Sequence, residues 1–152
     1  KELEMRRFFW IILMVLVACT GKTTFEKIFL GKDACEHCRM VISDARFGAE
    51  IVNSKGKIYK FDSIECLLSY QKVYGKLDDR LYVVDTIHKD EMVEVDAAYF
   101  VEDPDTRSPM GRGIMASVSS ADVSKAVPTK KDLKVLKWKD VLSMLEKSDI
   151  KQ

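Results

Sequence analysis

The sequence predicts an α+β fold made of two small modules that pack together. Short segments with the alternation of strands are interrupted by segments with helical spacing, and the order strand, strand, helix, strand in the first half is echoed in the second. With 47% hydrophobic and 32% charged residues among 152, the composition is that of a globular chain rather than a disordered one. Because neither half alone would bury a large core, we expect the halves to share one.

The first module is predicted to span residues 32–88. Its strand patterns are Met40–Ser43, Ala49–Asn53, Lys57–Phe61 and Leu81–Val84, and residues 53–56 predict a hairpin turn between the middle two. A helix follows, with Asp62 as its N-cap and Glu65 as the capping-box partner three residues later. Gly75 ends this helix, because glycine readily adopts the conformation that closes a helix C-terminus.

The second module is predicted to span residues 89–152, after a connection near residues 87–90. Strand patterns occur at Glu94–Val101, Ile114–Val118 and Val135–Leu136. Helical patterns occur at Ala121–Ala126, capped by Ser119 or Ser120, and at Trp138–Lys147. A polar loop with two prolines, residues 102–109, separates the first two strands, so the module again mixes short strands with helices.

The N-terminal segment has the features of an export signal. Two arginines precede the unbroken apolar run Phe8–Ala18, which is about half as long as a membrane-spanning helix requires. The residues Leu16-Val17-Ala18-Cys19 resemble the lipobox of bacterial lipoproteins, in which the cysteine becomes the lipidated first residue. We therefore expect cleavage after residues 1–18, lipidation of Cys19 and a tether over residues 19–31; an uncleaved membrane anchor is the alternative.

The charge balance limits the classes of partner. Lys and Arg number 25 against 24 Asp and Glu, so the formal net charge is +1 and nucleic-acid binding is not expected. Lipid chains rather than charge would hold such a protein at a membrane. Thr20 follows the cysteine, and by resemblance to Gram-negative lipoproteins the absence of Asp there favours the outer membrane, with the protein facing the periplasm.

The cysteine count directs attention to one motif. The cysteines are Cys19, Cys35, Cys38 and Cys66, and lipidation of the first leaves an odd number of thiols in an oxidising compartment. In extended backbone Cys38 and Met40 project to the same side, and a thiolate with a thioether is a donor pair that suits Cu(I). A turn could add Cys35, and His37 offers an imidazole. The motif therefore predicts a soft-metal site.

Other interpretations of Cys35-x-x-Cys38 remain open from the residues alone. The pair is also typical of a structural disulfide in an exported chain. A zinc half-site is disfavoured because structural zinc takes four good ligands. A thioredoxin-like redox pair is disfavoured because no strand precedes the motif.

Three further residues are candidate ligands. Met110 lies among Pro, Gly and Arg, which are poor core neighbours, so its thioether either completes a copper site or is an incidental loop side chain. Cys66 packs in the core, pairs in a disulfide or binds the metal. His88 lies in a polar segment and is either solvated or a ligand.

Taken in order, the motifs resemble the NosL family. They are Cys35-x-x-Cys38-x-Met40, Asp44, Phe47-Gly48-Ala49-Glu50-Ile51, Tyr59-x-Phe61-Asp62-x-Ile64-x-Cys66 and Pro109-Met110-Gly111-x-Gly113. The resemblance spans residues 32–120 together with the lipobox. Where this chain has Cys38-Arg39-Met40 the family often has Cys-Gly-Met, and this departure leaves the roles of Cys35 and His37 open.

The resemblance implies a function and a fold. NosL proteins are lipoprotein copper chaperones that help to assemble nitrous oxide reductase. By resemblance we expect Cu(I) binding in the periplasm, delivery together with an ABC-type membrane complex, and a fold of two related β-β-α-β modules. Carried over by position, Cys38, Met40 and Met110 are the leading copper ligands.

Motifs typical of enzymes are missing from the sequence. It contains no G-x-S-x-G, no Walker loop and no H-E-x-x-H, and two histidines offer few general bases. We therefore expect a carrier rather than an enzyme. The alternatives are a thiol–disulfide oxidoreductase that uses Cys35 and Cys38, or a disulfide-stapled interaction lipoprotein without metal.

Overall fold

A computed structural model describes residues 25–75, 79–128, 130 and 133–149. The predicted signal segment, the lipobox and Cys19 lie outside the described residues. The described strands are β1 (Ala49–Val52), β2 (Ile58–Phe61), β3 (Arg80–Val84), β4 (Met92–Glu94), β5 (Tyr99–Glu102) and β6 (Ile114–Ser117). The described helices are α1 (Ile64–Tyr74), α2 (Ser120–Lys125) and α3 (Trp138–Asp149), with a 3₁₀ turn at Ala45–Phe47. The α+β class is confirmed. None of these helices is long and apolar enough to cross a bilayer.

A four-stranded antiparallel sheet has the order β2-β1-β3-β4. Its inner strand β1 pairs with a strand on each side, so that Ile51 lies between Tyr59 on β2 and Leu81 on β3. Strand β1 is buried along its whole length. The predicted hairpin turn between β1 and β2 is confirmed. The side chain of Asn53 accepts hydrogen bonds from the amides of Lys55 and Lys57 at 3.0 and 2.9 Å, which fixes the register.

The predicted strand Glu94–Val101 is divided between two sheets. A turn at residues 95–97, in which the amides of Ala97 and Ala98 donate to the carbonyl of Glu94, separates β4 from β5. Strand β4 extends the first sheet, whereas β5 pairs with β6 in a second, two-stranded sheet. The prediction of one continuous strand was therefore wrong, because the hydrogen bonds at Glu94 end it.

The two halves of the chain share one apolar core, as expected. A single buried cluster contains Phe61 and Cys66 from the first half and Phe100 and Ile114 from the second. Asp85, directly after β3, adds a polar link: its carboxylate accepts hydrogen bonds from the Ser117 hydroxyl at 2.7 Å and from the Val118 amide at 3.0 Å. The core thus holds both sheets against helices α1 and α3.

Helix α1 begins one residue later than predicted. Ser63 is the N-cap, and its hydroxyl accepts a hydrogen bond from the Cys66 amide at 3.1 Å. The predictions of Asp62 as the cap and Glu65 as its capping-box partner were wrong, and the Asp62 side chain is free to turn inward. Gly75 does end the helix, with φ of 87°.

Two shorter predictions also need correction. Residues 40–43 are not a strand, since only Val41 forms a bridge, with Ala34, and residues 135–136 likewise form only the Leu136–Phe100 bridge. Of the predicted tether, the structure describes residues 25–31, which are exposed apart from Ile28. Ile28 is buried beside Ile42 and Val84.

Candidate metal centre

Three cysteine sulfurs and one carboxylate meet at one point beside the N-terminus of α1. The donor atoms of Cys35, Cys38, Asp62 and Cys66, called here the sulfur cluster, all lie within 4.8 Å of one another. Three of these residues are buried and Cys38 is partly exposed. All three cysteines are free thiols. The cluster therefore combines three soft sulfur donors with one hard oxygen donor, and Cys38 is its partly exposed member.

The first two cysteines lie in a tight turn tied to the sheet. The Cys35 amide donates to the Met40 carbonyl at 2.8 Å, and the Arg39 amide donates back to the Cys35 carbonyl at 2.9 Å. The Glu36 amide donates to the Lys60 carbonyl on β2, also at 2.8 Å. Arg39 has φ of 65°, in the left-handed region that favours glycine. The expectation that Cys38 and Met40 lie in extended backbone was therefore wrong.

The pKa values of the three thiols are shifted in different directions. The Cys66 thiol donates a hydrogen bond to the Cys35 sulfur, which lowers the pKa of Cys35 to about 6 although burial acts in the opposite direction. The same contact, together with burial, raises the pKa of Cys66. Burial raises the pKa of Cys38 to about 11. Of the three cysteines, Cys35 therefore gives up its proton most readily.

Backbone amides orient two of the sulfurs. The nearby amides of His37, Cys38 and Asp62 act to lower the pKa of Cys35, and the Met40 amide acts to lower the pKa of Cys38. Such donors stabilise the thiolate, which is the form that binds metals. The turn therefore prepares its sulfurs for a cation.

Asp62 supplies the only carboxylate of the cluster among the described residues. The Cys38 thiol donates to its Oδ2 at 3.3 Å. Its Oδ1 is buried and has no hydrogen-bond partner in the part of the chain that the structure describes. An oxygen in this position has lost its water and gained no protein donor, which is costly unless a cation compensates it.

The predicted methionine ligands are accessible. Met40 is 48% exposed and Met110 is 44% exposed, so either thioether is available to an incoming ion. The two histidines lie outside the cluster. His37 contributes through its amide, whereas the His88 imidazole is half-exposed, with Nδ1 3.4 Å from the Asp85 carboxylate.

The loop that carries Met110 is fixed near helix α1. The Arg112 guanidinium contacts the Glu102 carboxylate through two nitrogens, at 2.8 and 2.6 Å. Arg112 also faces Glu65, the residue before Cys66: burial raises the pKa of Glu65, and the Arg112 guanidinium and amide oppose that rise. The loop therefore lies against the same helical turn that places Cys66 in the cluster.

Comparison with known proteins decides the family. The NosL family model matches residues 28–145. The chain belongs to the NosL family. The crystal structure of the copper chaperone NosL from Shewanella denitrificans has the same fold, with a TM-score of 0.63 over 77% of this chain and 94% of that one, at 17% identity. Among curated proteins, none matches this chain. The NosL resemblance and the NosL fold predicted from the motifs are both confirmed.

In this NosL-family chain, the sequence did not predict that Asp62 and Cys66 would both lie in the sulfur cluster. The sequence predicts Asp62 as a helix cap, and it leaves packing, disulfide pairing and metal binding all open for Cys66. Asp62 lies just before the N-cap Ser63, and Cys66 lies in the first turn of α1. Only the packing of the Cys35 turn against this helix start brings the four donors together.

Proposed function

We propose that this NosL-family chain binds copper as Cu(I) at the sulfur cluster and carries it without catalysing a reaction. One observation carries the proposal: three cysteine sulfurs are gathered at one point, and one of the three residues, Cys38, is partly exposed. Thiolates are soft ligands that favour Cu(I) over harder ions. A carrier needs such a site to be tight enough to hold its cargo and open enough to release it.

The exposure of the donors suggests the order in which they act. Cys38, Met40 and Met110 are the leading ligands that the family resemblance implies, and because they are exposed or partly exposed they would meet the incoming ion first. Cys35 and Cys66, which are buried, would then hold it. Binding displaces thiol protons, so copper affinity should increase with pH.

We also propose a setting for this activity. Lipidation at Cys19 would anchor the chain at a bacterial membrane, most simply the outer membrane, facing the periplasm. From there it would deliver copper for the metal centres of nitrous oxide reductase, together with an ABC-type maturation complex. The lipobox and the family support this setting. The test is a lipid-modified Cys19 peptide in the native protein that Cys19→Ser abolishes.

A competition titration tests copper binding. The full chain carrying Cys19→Ser, reduced and in detergent, is titrated anaerobically with Cu(I) against a chromophoric chelator. We expect one Cu(I) per chain. Cys38→Ser should weaken affinity by about tenfold or more, because it replaces a soft sulfur ligand with a hydroxyl, which is a poor ligand for Cu(I). Met110→Leu should weaken it less, and Met144→Leu, which removes a thioether from α3 at similar volume, is the matched control.

Two outcomes would contradict the proposal. Failure to compete with the chelator removes copper binding. If Cys38→Ser binds Cu(I) as tightly as the parent chain, copper lies elsewhere. In the first case the alternative is thiol–disulfide exchange by Cys35 and Cys38, which a redox titration without metal would detect.

A further inference from the structure

We propose that the surface of a lipid bilayer covers one apolar face of the domain, formed by the exposed side chains of Phe29, Leu30 and Val41 and called here the apolar rim. This contact rests on the membrane setting proposed above, because an anchor near Cys19 brings the bilayer within reach. It adds a second attachment, made by the folded domain itself, and an orientation for the metal site.

Hydrogen bonds hold the apolar rim in place. The Phe29 carbonyl accepts from the amides three and four residues later, at 3.1 and 2.9 Å, so Leu30 lies in a tight turn. The Gly31 amide donates to the Ile42 carbonyl at 2.9 Å, which puts Val41 on the segment beside this turn. The three rim side chains are 53%, 49% and 55% exposed. Apolar groups gathered in this way mark an interaction surface.

The segment directly before the rim turn is fixed to the sheet behind it. Ile28 is buried, and the Glu26 amide donates to the buried Glu50 carboxylate on β1 at 3.0 Å. The Lys60 ammonium on β2 donates to the Lys27 carbonyl at 3.0 Å. Because these contacts adjoin the turn, the rim keeps a fixed direction relative to the domain.

The position of the anchor determines which partner this face meets. Residues 20–24 separate Cys19 from Phe25, so the Cα atoms of these two residues lie at most about 20 Å apart whatever the conformation between them. Phe29 follows only four residues later. Lipid chains on Cys19, or an uncleaved anchor over residues 8–18, would therefore hold this end of the domain at the bilayer surface.

The side chains at the rim suit the interface between headgroups and acyl chains. Aromatic and aliphatic groups enter this boundary, while neighbouring lysines extend to the lipid phosphates. Lys32 follows the rim turn and is exposed. The carboxylate of Glu26, just before the turn, lies 3.6 Å from the Lys60 ammonium, which offsets its charge. An anionic bilayer therefore meets apolar groups beside a cation.

The rim adjoins the partly exposed side of the sulfur cluster. Met40 directly precedes Val41, and its carbonyl accepts from the Cys35 amide at 2.8 Å. Docking of the rim would place Cys38 close to the membrane surface. Copper exchange would then occur with an acceptor at the membrane rather than with one in free solution.

Fluorescence quenching tests the contact. The membrane-anchored protein is reconstituted in vesicles of phosphatidylethanolamine and phosphatidylglycerol, with or without bromine on the acyl chains. Phe29→Trp reports on the rim, and the parent chain gives the contribution of Trp10 and Trp138, which is subtracted. We expect bromine to quench the added fluorescence by about half or more, because groups at this interface lie about 5–10 Å deep.

A matched control places the same reporter elsewhere. Tyr74→Trp also exchanges one exposed aromatic side chain for another, at the last residue of α1, whereas the sulfur cluster lies beside the first turn. Its fluorescence should change little with bromine. Circular dichroism verifies the fold of both variants, and Leu30→Trp replaces Phe29→Trp if the latter does not fold.

The outcomes separate this contact from the proposed function. Equal quenching at the two positions, or none at the rim, would overturn the contact and leave Cu(I) binding, measured by the chelator titration, unaffected. A dimer in detergent that Phe29→Asp separates would assign the rim to a second copy of the chain and also overturn it. A protein that washes off the vesicles would overturn the proposed membrane setting as well.

Discussion

At the scale of single residues, Arg39 adopts the least favourable backbone conformation in the turn that carries Cys35 and Cys38. A side chain in the left-handed region costs about 1–2 kcal/mol relative to glycine in that conformation. Its φ of 65° explains why glycine suits this place between Cys38 and Met40. Arg39 also forms an ion pair with Glu36 at 3.3 Å. This ion pair contributes little to stability because the Arg39 side chain is exposed. The turn is therefore kept at some expense of stability.

The cost can be measured with two substitutions. Arg39→Ala removes the ion pair and keeps the strain, whereas Arg39→Gly removes both. We expect Arg39→Gly to be the more stable of the two by about 1 kcal/mol in urea unfolding, because only glycine enters this region freely. Equal stabilities would show that the turn relaxes instead of straining Arg39.

At the scale of elements, the loop that carries Met110 is specified by one glycine. Gly113 has φ of 64°, and a Cβ atom there would lie 2.0 Å from the Asp103 carbonyl oxygen. Its amide donates to the Ser108 hydroxyl at 2.8 Å, which closes the loop. Gly111 also has a positive φ, of 83°, but nothing lies within 4 Å of its Cβ position.

These two glycines form a matched pair. Gly113→Ala should lower the free energy of unfolding by about 3 kcal/mol, since it adds a backbone clash to the strain. Gly111→Ala should cost about 1 kcal/mol, because it adds strain alone. Urea unfolding compares the two. A smaller loss for Gly113→Ala than for Gly111→Ala would mean that the Asp103 carbonyl is not fixed.

The sequence predicts an element well when the residues that determine it are close together in the chain. The turn at Asn53 and the helix end at Gly75 were predicted because each depends on a few neighbouring residues. The division of residues 94–101 between two sheets was not predicted, because the alternation of apolar and polar residues is the same whichever sheet each half joins. The sulfur cluster depends on the Cys35 turn packing against α1, which no local pattern encodes.

At the scale of the whole molecule, Asp85 connects the two halves of the chain. Its buried carboxylate accepts hydrogen bonds from Ile87 and His88 on one side and from Ser117 and Val118 on the other. Burial alone would raise the pKa of Asp85, but these donors outweigh it and lower the pKa below its usual 3.8. Stability from this group is thus present above about pH 4 and is lost as the pH falls through the lowered value.

A pH series tests this connection. Asp85→Asn should lower the free energy of unfolding by about 2 kcal/mol near pH 7, because an amide cannot accept at all of these positions. The deficit should shrink as the pH falls through the lowered pKa of Asp85, because the parent carboxylate then becomes protonated as well. Asp96→Asn, in the exposed turn at residues 95–97, is the control and should change little. A deficit independent of pH would assign the loss to packing.

The partial exposure of Cys38, beside the buried Cys35 and Cys66, has a kinetic consequence. An acceptor can approach a copper ion held there from only one side, and the ion would have to gain the acceptor's ligand before it loses the buried sulfurs. Exchange would then be associative. Its rate should rise in proportion to acceptor concentration, while spontaneous escape of the ion into bulk solvent stays slow.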